Sequence, residues 1–313
     1  MATVADTTSR AAEFRSLHDR LRKSVPWGPG DRQGALNYIT PAMVVAAVSE
    51  VRAGRTASLA APIEHSPAPD NPDPMVRELV EPAESVTPRN GLSFAADTLS
   101  LHVHGDADSH IDALCHVIFD GAMYDDVEAR AVRSDGAGGL SIDVAAGQGI
   151  VGRGVLLDIP KARGIDWLEP GDHVTAADLI AAEDAEGVRA ETGDLLFVRV
   201  GHRRRRRELG PWDAARQRAG LDLTAVELIA ERQVAVLGSD GNNDTAPSTV
   251  PDVDFPVHVL AIRVLGVHLL DYLDFDDLVA VCEGETRWTF LCVIAPLRLP
   301  GGTGSPINPI AIF

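Results

Sequence analysis

The fifteen residues from His102 to His116, HVHGDADSHIDALCH, hold four of the chain's 10 histidines together with three aspartates. A metal site or a proton relay needs this mixture, because imidazole titrates near neutrality and ligates metals through a ring nitrogen, and carboxylate supplies charge. His102, His104, Asp106, Asp108, His110 and Asp112 occupy even positions, with Leu101, Val103, Gly105, Ala107, Ser109 and Ile111 between them. Side chains alternate across a strand, so an extended LSLHVHGDADSHID would have one imidazole–carboxylate face and one small or apolar face. A solvated edge strand would account for the aspartates but not for so many histidines. His110 and Asp112, at i and i+2, then aim at one point and suit Zn2+ or Mn2+. An ion with an open position lowers the pKa of bound water and makes a nucleophile. His116 follows Asp112 by four residues, which suits a turn or a helix start, and is placed to move protons. Further ligands must come from a distance, and His258, His268, Asp271, Asp274 and Asp240 are candidates. A zinc finger is excluded, because no cysteines are paired in sequence.

The elements that must position these groups can be read from periodicity. Residues 7–24 are expected to form a surface helix, and Thr40 to cap a second helix with Pro41 at its first position and Gly54 at its close. ASLAAPI reads as a short strand, and residues 65–91 as a proline-rich loop, a lid or partner-contact segment. IVGRGVLLDIP, DLLFVRVG, VAVLGSD and WTFLCVIAPLRL read as strands. VTAADLIAAEDAEG, capped by Thr175 and Asp178, LTAVELIAERQ and DFDDLVAVC read as helices. HVLAIRVLGVHLLDYL is expected to pass from helix into strand. This alternation points to an α/β (α+β) fold, with residues 1–30 a helical extension and 31–313 a single domain.

At 313 residues and 45% hydrophobic, the chain has ample material for a core. Its net charge of -18 argues against nucleic acid and anionic membranes, since phosphate contacts need a surplus of lysine and arginine. The opening MATVADTTSRAAEFRSLHDRL lacks the apolar centre of a signal peptide, and no run has the length of a membrane span. Cys115, Cys282 and Cys292 are odd in number and scattered, so a reducing cytoplasm is expected. Cys115 beside His116 reads as a small buried thiol rather than a Cys–His pair. The G-x-G-x-x-G match from Gly147 to Gly152 has its strand after it, so it reads as a turn rather than a nucleotide site. The five arginines from Arg203 to Arg207 read as a solvated loop pairing with acidic neighbours. Phe119, Tyr124, Trp27 and Trp212 are candidates to line a pocket.

SHIDALCH, GSDGNND, PVHVLAIRVLGVHLLDYLDFDDL and FLCVIAPLRLPGGTGSPINPIAIF, in that order, resemble the cyclase family of metal-dependent hydrolases, which includes kynurenine formamidase and isatin hydrolase. The resemblance covers roughly residues 30–313 and takes in WGPGDRQGALNYIT and IVGRGVLLDIP. It implies a swivelling β/β/α fold, one or two divalent metals (zinc or manganese), a homodimer or homotetramer, and hydrolysis of an amide in or beside a ring. That is an amidohydrolase acting on C–N bonds other than peptide bonds, with a small-molecule substrate. The family motif H-x-x-x-H-x-D-x-x-x-H puts metal ligands at His110 and Asp112 and the acid–base group at His116. His258 and Asp271 correspond to the ligands of a second metal. The motif's first histidine falls on Asp106, which can itself ligate; His104 shares its parity and can substitute if the strand bulges. The late acidic ligand is commonly glutamate, one methylene longer than Asp271, and Leu114-Cys115 replaces the proline common before the last histidine. The rival readings are a cyclase or dehydratase of the same fold and a metal-binding protein without catalysis.

Overall fold

Apolar runs in the second half of the chain form buried strands, and the amphipathic stretches between them form helices. The computed structural model describes residues 4–79, 91–92 and 94–313. The strands are β1 (Thr56–Ser58), β2 (Val76–Leu79), β3 (Asp97–Ser100), β4 (His110–Asp112), β5 (Ile150–Asp158), β6 (His173–Val174), β7 (Leu195–Arg199), β8 (Gly220–Leu221), β9 (Val236–Ser239), β10 (His268–Asp271), β11 (Thr289–Ile294), β12 (Gly304–Pro306) and β13 (Ile310–Ile312). The helices are α1 (Val4–Ser24), α2 (Pro41–Ala47), α3 (Asp143–Ala146), α4 (Ile159–Arg163), α5 (Ala176–Glu186), α6 (His202–Leu209), α7 (Leu223–Glu231), α8 (Pro256–His258) and α9 (Asp276–Glu285).

The main sheet runs β1-β13-β11-β5-β7-β9-β10-β4-β12 among the described residues. Its centre, β5-β7-β9-β10, is parallel, and every residue of β7, β9 and β10 is buried. Parallel strands are covered on both faces, which is why they read as continuous apolar runs. The flanks are antiparallel, with β11, β13 and β1 on one side and β4 and β12 on the other. Local signals end the helices as expected: Thr175 and Asp178 form a capping box on α5, and Gly187, at φ +64°, closes it. Phe14, Leu17 and Leu21 of α1 belong to the same core cluster as the sheet.

Several expectations need correction. LSLHVHGDADSHID is not one strand: β3 ends at Ser100, β4 begins at His110, and turns occupy the interval. Gly105 and its small polar neighbours favour turns over extended pairing. α2 ends at Ala47 and a 3-10 turn, Val48–Glu50, follows it, so Gly54 lies beyond the helix. Part of the expected loop 65–91 is the strand β2, and its residues 80–90 lie outside those described, as do residues 1–3 of the N-terminal extension. The arginine run is no loop, because it forms most of α6 between Gly201 and Gly210. Arginine is a good helix former, and both flanking glycines adopt positive φ. Gly147–Gly152 is a turn into β5, with Gly149 at φ +71°. Among the described residues no helix is long and apolar enough to cross a membrane.

Candidate metal centre

β4 is short, but its place between β10 and β12 brings the site together. Its pairing sets His110 opposite both Asp271 and Pro306, and Asp112 opposite Gly304. Asp271 thus ends the last parallel strand, where ligands collect in open α/β sheets. Asp112 is completely buried. Its Oδ1 lies 2.8 Å from His104 Nδ1, 3.8 Å from His110 Nε2 and 4.0 Å from His116 Nε2. Its Oδ2 has no hydrogen-bond partner among the described residues, and His258 Nε2 stands 3.4 Å away. His258 Nε2 is also 3.3 Å from Asp271 Oδ2.

Two triads of potential ligand atoms result, His104–His110–Asp112 and Asp112–His258–Asp271, each with its atoms within 4.8 Å of one another. Asp112 belongs to both. The surrounding hydrogen bonds aim these atoms. His110 Nδ1 donates to the Asp108 carbonyl at 2.8 Å, which leaves Nε2 with a lone pair. His258 Nδ1 bonds the Asp244 carboxylate, which also accepts from the main-chain N–H groups of Val257 and His258. One aspartate therefore caps the segment and orients the ring. Asn242 and Asn243 donate to the Asp271 carboxylate. The His258 segment continues into the π-helical turn Val259–Leu265, a distortion often found at functional sites.

The structure brings together His110, Asp112, His116, His258 and Asp271 but keeps Asp106 out of both triads. Asp106 instead accepts a 2.7 Å hydrogen bond from the Tyr272 hydroxyl. The turn after Ser100 brings in His104, whose Nε2 meets Thr303 Oγ1 at 3.0 Å and whose ring stacks on His116 at 3.7 Å. Gly304 leaves room for it, since a Cβ there would sit 2.7 Å from His104 Cε1 and 2.6 Å from the Ile111 oxygen. Asp244, Asn242 and Asn243 carry no individual signal in the sequence, although they lie in the GSDGNND segment. His268 is buried and donates through Nδ1 to the Asp112 carbonyl, so it braces β4. Asp240 accepts from the Val200 amide, and Asp274 pairs with Arg207.

The electrostatics follow from this crowding. Burial disfavours the Asp112 carboxylate, but His116, His104, His258 and His110 overcome it and hold its pKa well below the usual carboxylate range. Burial likewise opposes charge on His258, yet Asp271, Asp112 and Asp244 raise its pKa well above the ordinary value. His116 goes the other way: burial pushes it down to about 4, Asp112 opposes that, and the neighbouring imidazoles reinforce it. Burial also raises the Cys115 thiol to about 11, as fits an inert core residue.

The cluster opens into a cavity of about 500 Å³. Of the aromatics expected to line it, only Phe119 does so, joined by Phe255 and Tyr272. Trp27 packs on Tyr38, Tyr124 donates to Asp31, and Trp212 donates to the Gln217 carbonyl. A divalent ion fits this donor set: imidazole and carboxylate converge without thiolate, and a buried carboxylate oxygen makes no hydrogen bond among the described residues.

Comparison with known proteins bears on the same residues. No curated protein sequence matches the chain. A solved structure described as a novel cyclase is 31% identical, covers 95% of this chain and 99% of its own, and superposes with a TM-score of 0.84. Isatin hydrolase A from Labrenzia aggregata, bound to benzyl benzoate, is 21% identical over 82% of this chain and 93% of its own, with a TM-score of 0.59. Isatin hydrolase A from Ralstonia solanacearum is 21% identical over 87% of this chain and 97% of its own, with a TM-score of 0.58. The mixed α/β architecture is that of these cyclase-like structures. The cyclase family profile matches residues 37–243, a span that contains the histidine cluster of β4 and ends within the GSDGNND segment. The fold and this match together make the chain a member of the cyclase family.

Proposed function

We propose that this chain is a metal-dependent hydrolase of a small amide, formamide or lactam, acting on C–N bonds other than peptide bonds. The observation that carries the reading is the pair of triads sharing Asp112, with its unpartnered Oδ2, beside a small-molecule cavity. The isatin hydrolases among the structural relatives, and a potential metal-dependent hydrolase with cyclase activity, support it. His104, His110 and Asp112 would hold one ion, and Asp112, His258 and Asp271 a second. Zn2+ or Mn2+ suits a set of nitrogen and oxygen donors. When bound, such an ion supplies a Lewis acid that acidifies water and polarises a carbonyl.

The chain's own residues supply the proton traffic. Burial lowers the pKa of His116 to about 4, so at pH 7 its half-buried ring at the cavity wall has one nitrogen able to accept a proton. It takes the proton of the attacking water and delivers it to the departing nitrogen as the C–N bond breaks. Asp244, Asn242 and Asn243 hold His258 and Asp271 in place, and Phe119 and Phe255 offer the substrate an apolar surface.

The test is turnover of ring-linked amides in ¹⁸O-labelled water, read by mass spectrometry. Hydrolysis places one labelled oxygen in the product. A product that has lost water instead would favour the cyclase or dehydratase alternative. His116→Ala should lower kcat by about 100-fold to 10,000-fold with metal content unchanged. Full turnover in that variant would remove the role assigned to His116.

A further inference from the structure

A positive charge stands in the cavity wall that the proton traffic leaves unused. Arg218 lies just before β8 and is 1% exposed, yet it lines the same cavity as the histidines. Its Nε donates to the Asp244 carbonyl at 3.0 Å, and its Nη1 to those of Ala214 and Ala215 at 3.0 and 2.9 Å. Among the described residues its Nη2 donates to nothing, and no carboxylate pairs with the guanidinium. Burying a charge without a counterion is costly. Three carbonyl dipoles fix the guanidinium's orientation but leave its charge uncompensated. Arg203 is likewise buried among carbonyls but does not line this cavity, whereas Arg204, Arg205, Arg206 and Arg207 pair with carboxylates.

The surroundings narrow what could complete this arginine. Phe255 lies beneath it, with its ring centre 5.0 Å from the guanidinium carbon and 5.5 Å from the His258 ring. A flat apolar surface therefore runs from Arg218 to the metal centre. Elsewhere the cavity wall carries carboxylates that repel anions, including Asp252 and Asp254. One free guanidinium nitrogen suits a planar monoanion rather than a phosphate, which calls for several donors. We propose that Arg218 is an anion anchor, selecting substrates that carry a carboxylate on a flat ring seated over Phe255, with the scissile amide toward His116. The scissile-bond part rests on the hydrolase reading, whereas the carboxylate contact does not.

The experiment uses benzoate and benzamide as probes, titrated by calorimetry into chelator-treated and zinc-loaded protein. Wild type should bind benzoate about tenfold to hundredfold more tightly than benzamide in the metal-free form, as a hydrogen bond between charged groups supplies. Arg218→Gln should lose that preference, and Arg218→Lys should keep part of it, with thermal melts confirming that both variants fold. Equal affinity for the two probes in wild type overturns the anchor without any variant. An undiminished preference in folded Arg218→Gln does so as well. In parallel, 4-formamidobenzoate and formanilide are offered as substrates. Wild type should favour the carboxylate through a KM lower by a similar factor, and Arg218→Gln should not. If neither is hydrolysed while benzoate binding follows Arg218, the hydrolase reading fails and the anchor stands. If both are hydrolysed alike and the benzoate preference is absent, the anchor fails and the hydrolase reading stands.

Discussion

Two tracts of this chain are unusually dense in charge or potential charge, and the fold uses them in opposite ways. The arginines of α6 are consumed one by one. Arg203 is buried and donates to the carbonyls of Ala107, Tyr272 and Leu273. Arg204 and Arg205 meet Asp166 and Glu169. Arg206 bridges Glu64 and the fully buried Asp70, and Arg207 joins Asp274 and Asp276. Three of the four histidines of the other tract, His104, His110 and His116, gather around Asp112 without satisfying it, since its Oδ2 lacks a hydrogen-bond partner among the described residues. A cluster whose bonding capacity is exhausted inside the protein is structural, whereas one with capacity left over and a cavity beside it has work for a ligand. The first tract also serves the second. Arg203 pins the backbone on both sides of the site, and Arg206 braces Glu64, whose amide bonds Asp108 beside His110.

Three perturbations can break or sharpen this contrast. Asp112→Ala removes the ligand common to both triads, so near-stoichiometric zinc or manganese should fall to background in elemental analysis. Metal content unchanged from wild type would make the histidine tract as structural as the arginine helix. Arg206→Ala strands the buried Asp70 carboxylate and should cost about 3–5 kcal/mol in urea unfolding while the protein keeps its metal. Arg204→Ala, whose partners Asp166 and Glu208 are exposed, should cost less than about 1 kcal/mol. Equal costs at the two positions would show that the arginine helix is not anchored through Asp70.

Glu186 tests what a half-buried, incompletely satisfied acid does away from the metal centre. Burial raises its pKa to about 8, against an ordinary 4.5, although the Asp158 amide opposes the shift. The folded protein therefore holds a proton that the unfolded chain releases between these values. Stability from this group is full below pH 4.5, falls as pH rises through the window, and levels off above about 8. Glu186→Gln should remove that slope, so that the two proteins diverge by a few kcal/mol at most between pH 5 and pH 9. Parallel stability curves over that range would contradict the shift.

The legible parts of the site were those set by short spacing. His110 and Asp112 share a strand face two residues apart, and His116 follows Asp112 by four, at turn distance. The alternation breaks before His110, because the chain turns through Gly105 and no strand carries it back to His102. Nothing local could rank His104 over Asp106. A Tyr272 hydroxyl takes up Asp106, while Thr303 and the space above Gly304 receive His104, and all three partners lie more than 160 positions along the chain. Arg218 was invisible for a related reason: nothing in AARQRAG separates it from Arg216, and only its burial in the cavity wall, with its charge on neutral carbonyls, sets it apart.

Residue types and local periodicity were enough for the alternating strands and helices, the capped ends of α5, the acidic character of the chain and a metal-competent stretch at His110–His116. Each of these depends on groups within a few residues of one another, where covalent geometry leaves little freedom. Which distant groups complete that stretch depended on sheet order. Insertion of β4 between β10 and β12 brings Asp271 beside His110 and Gly304 beside Asp112. Such pairings close loops of well over a hundred residues. Burial of the whole sheet stabilises them, and no local preference in the sequence encodes them.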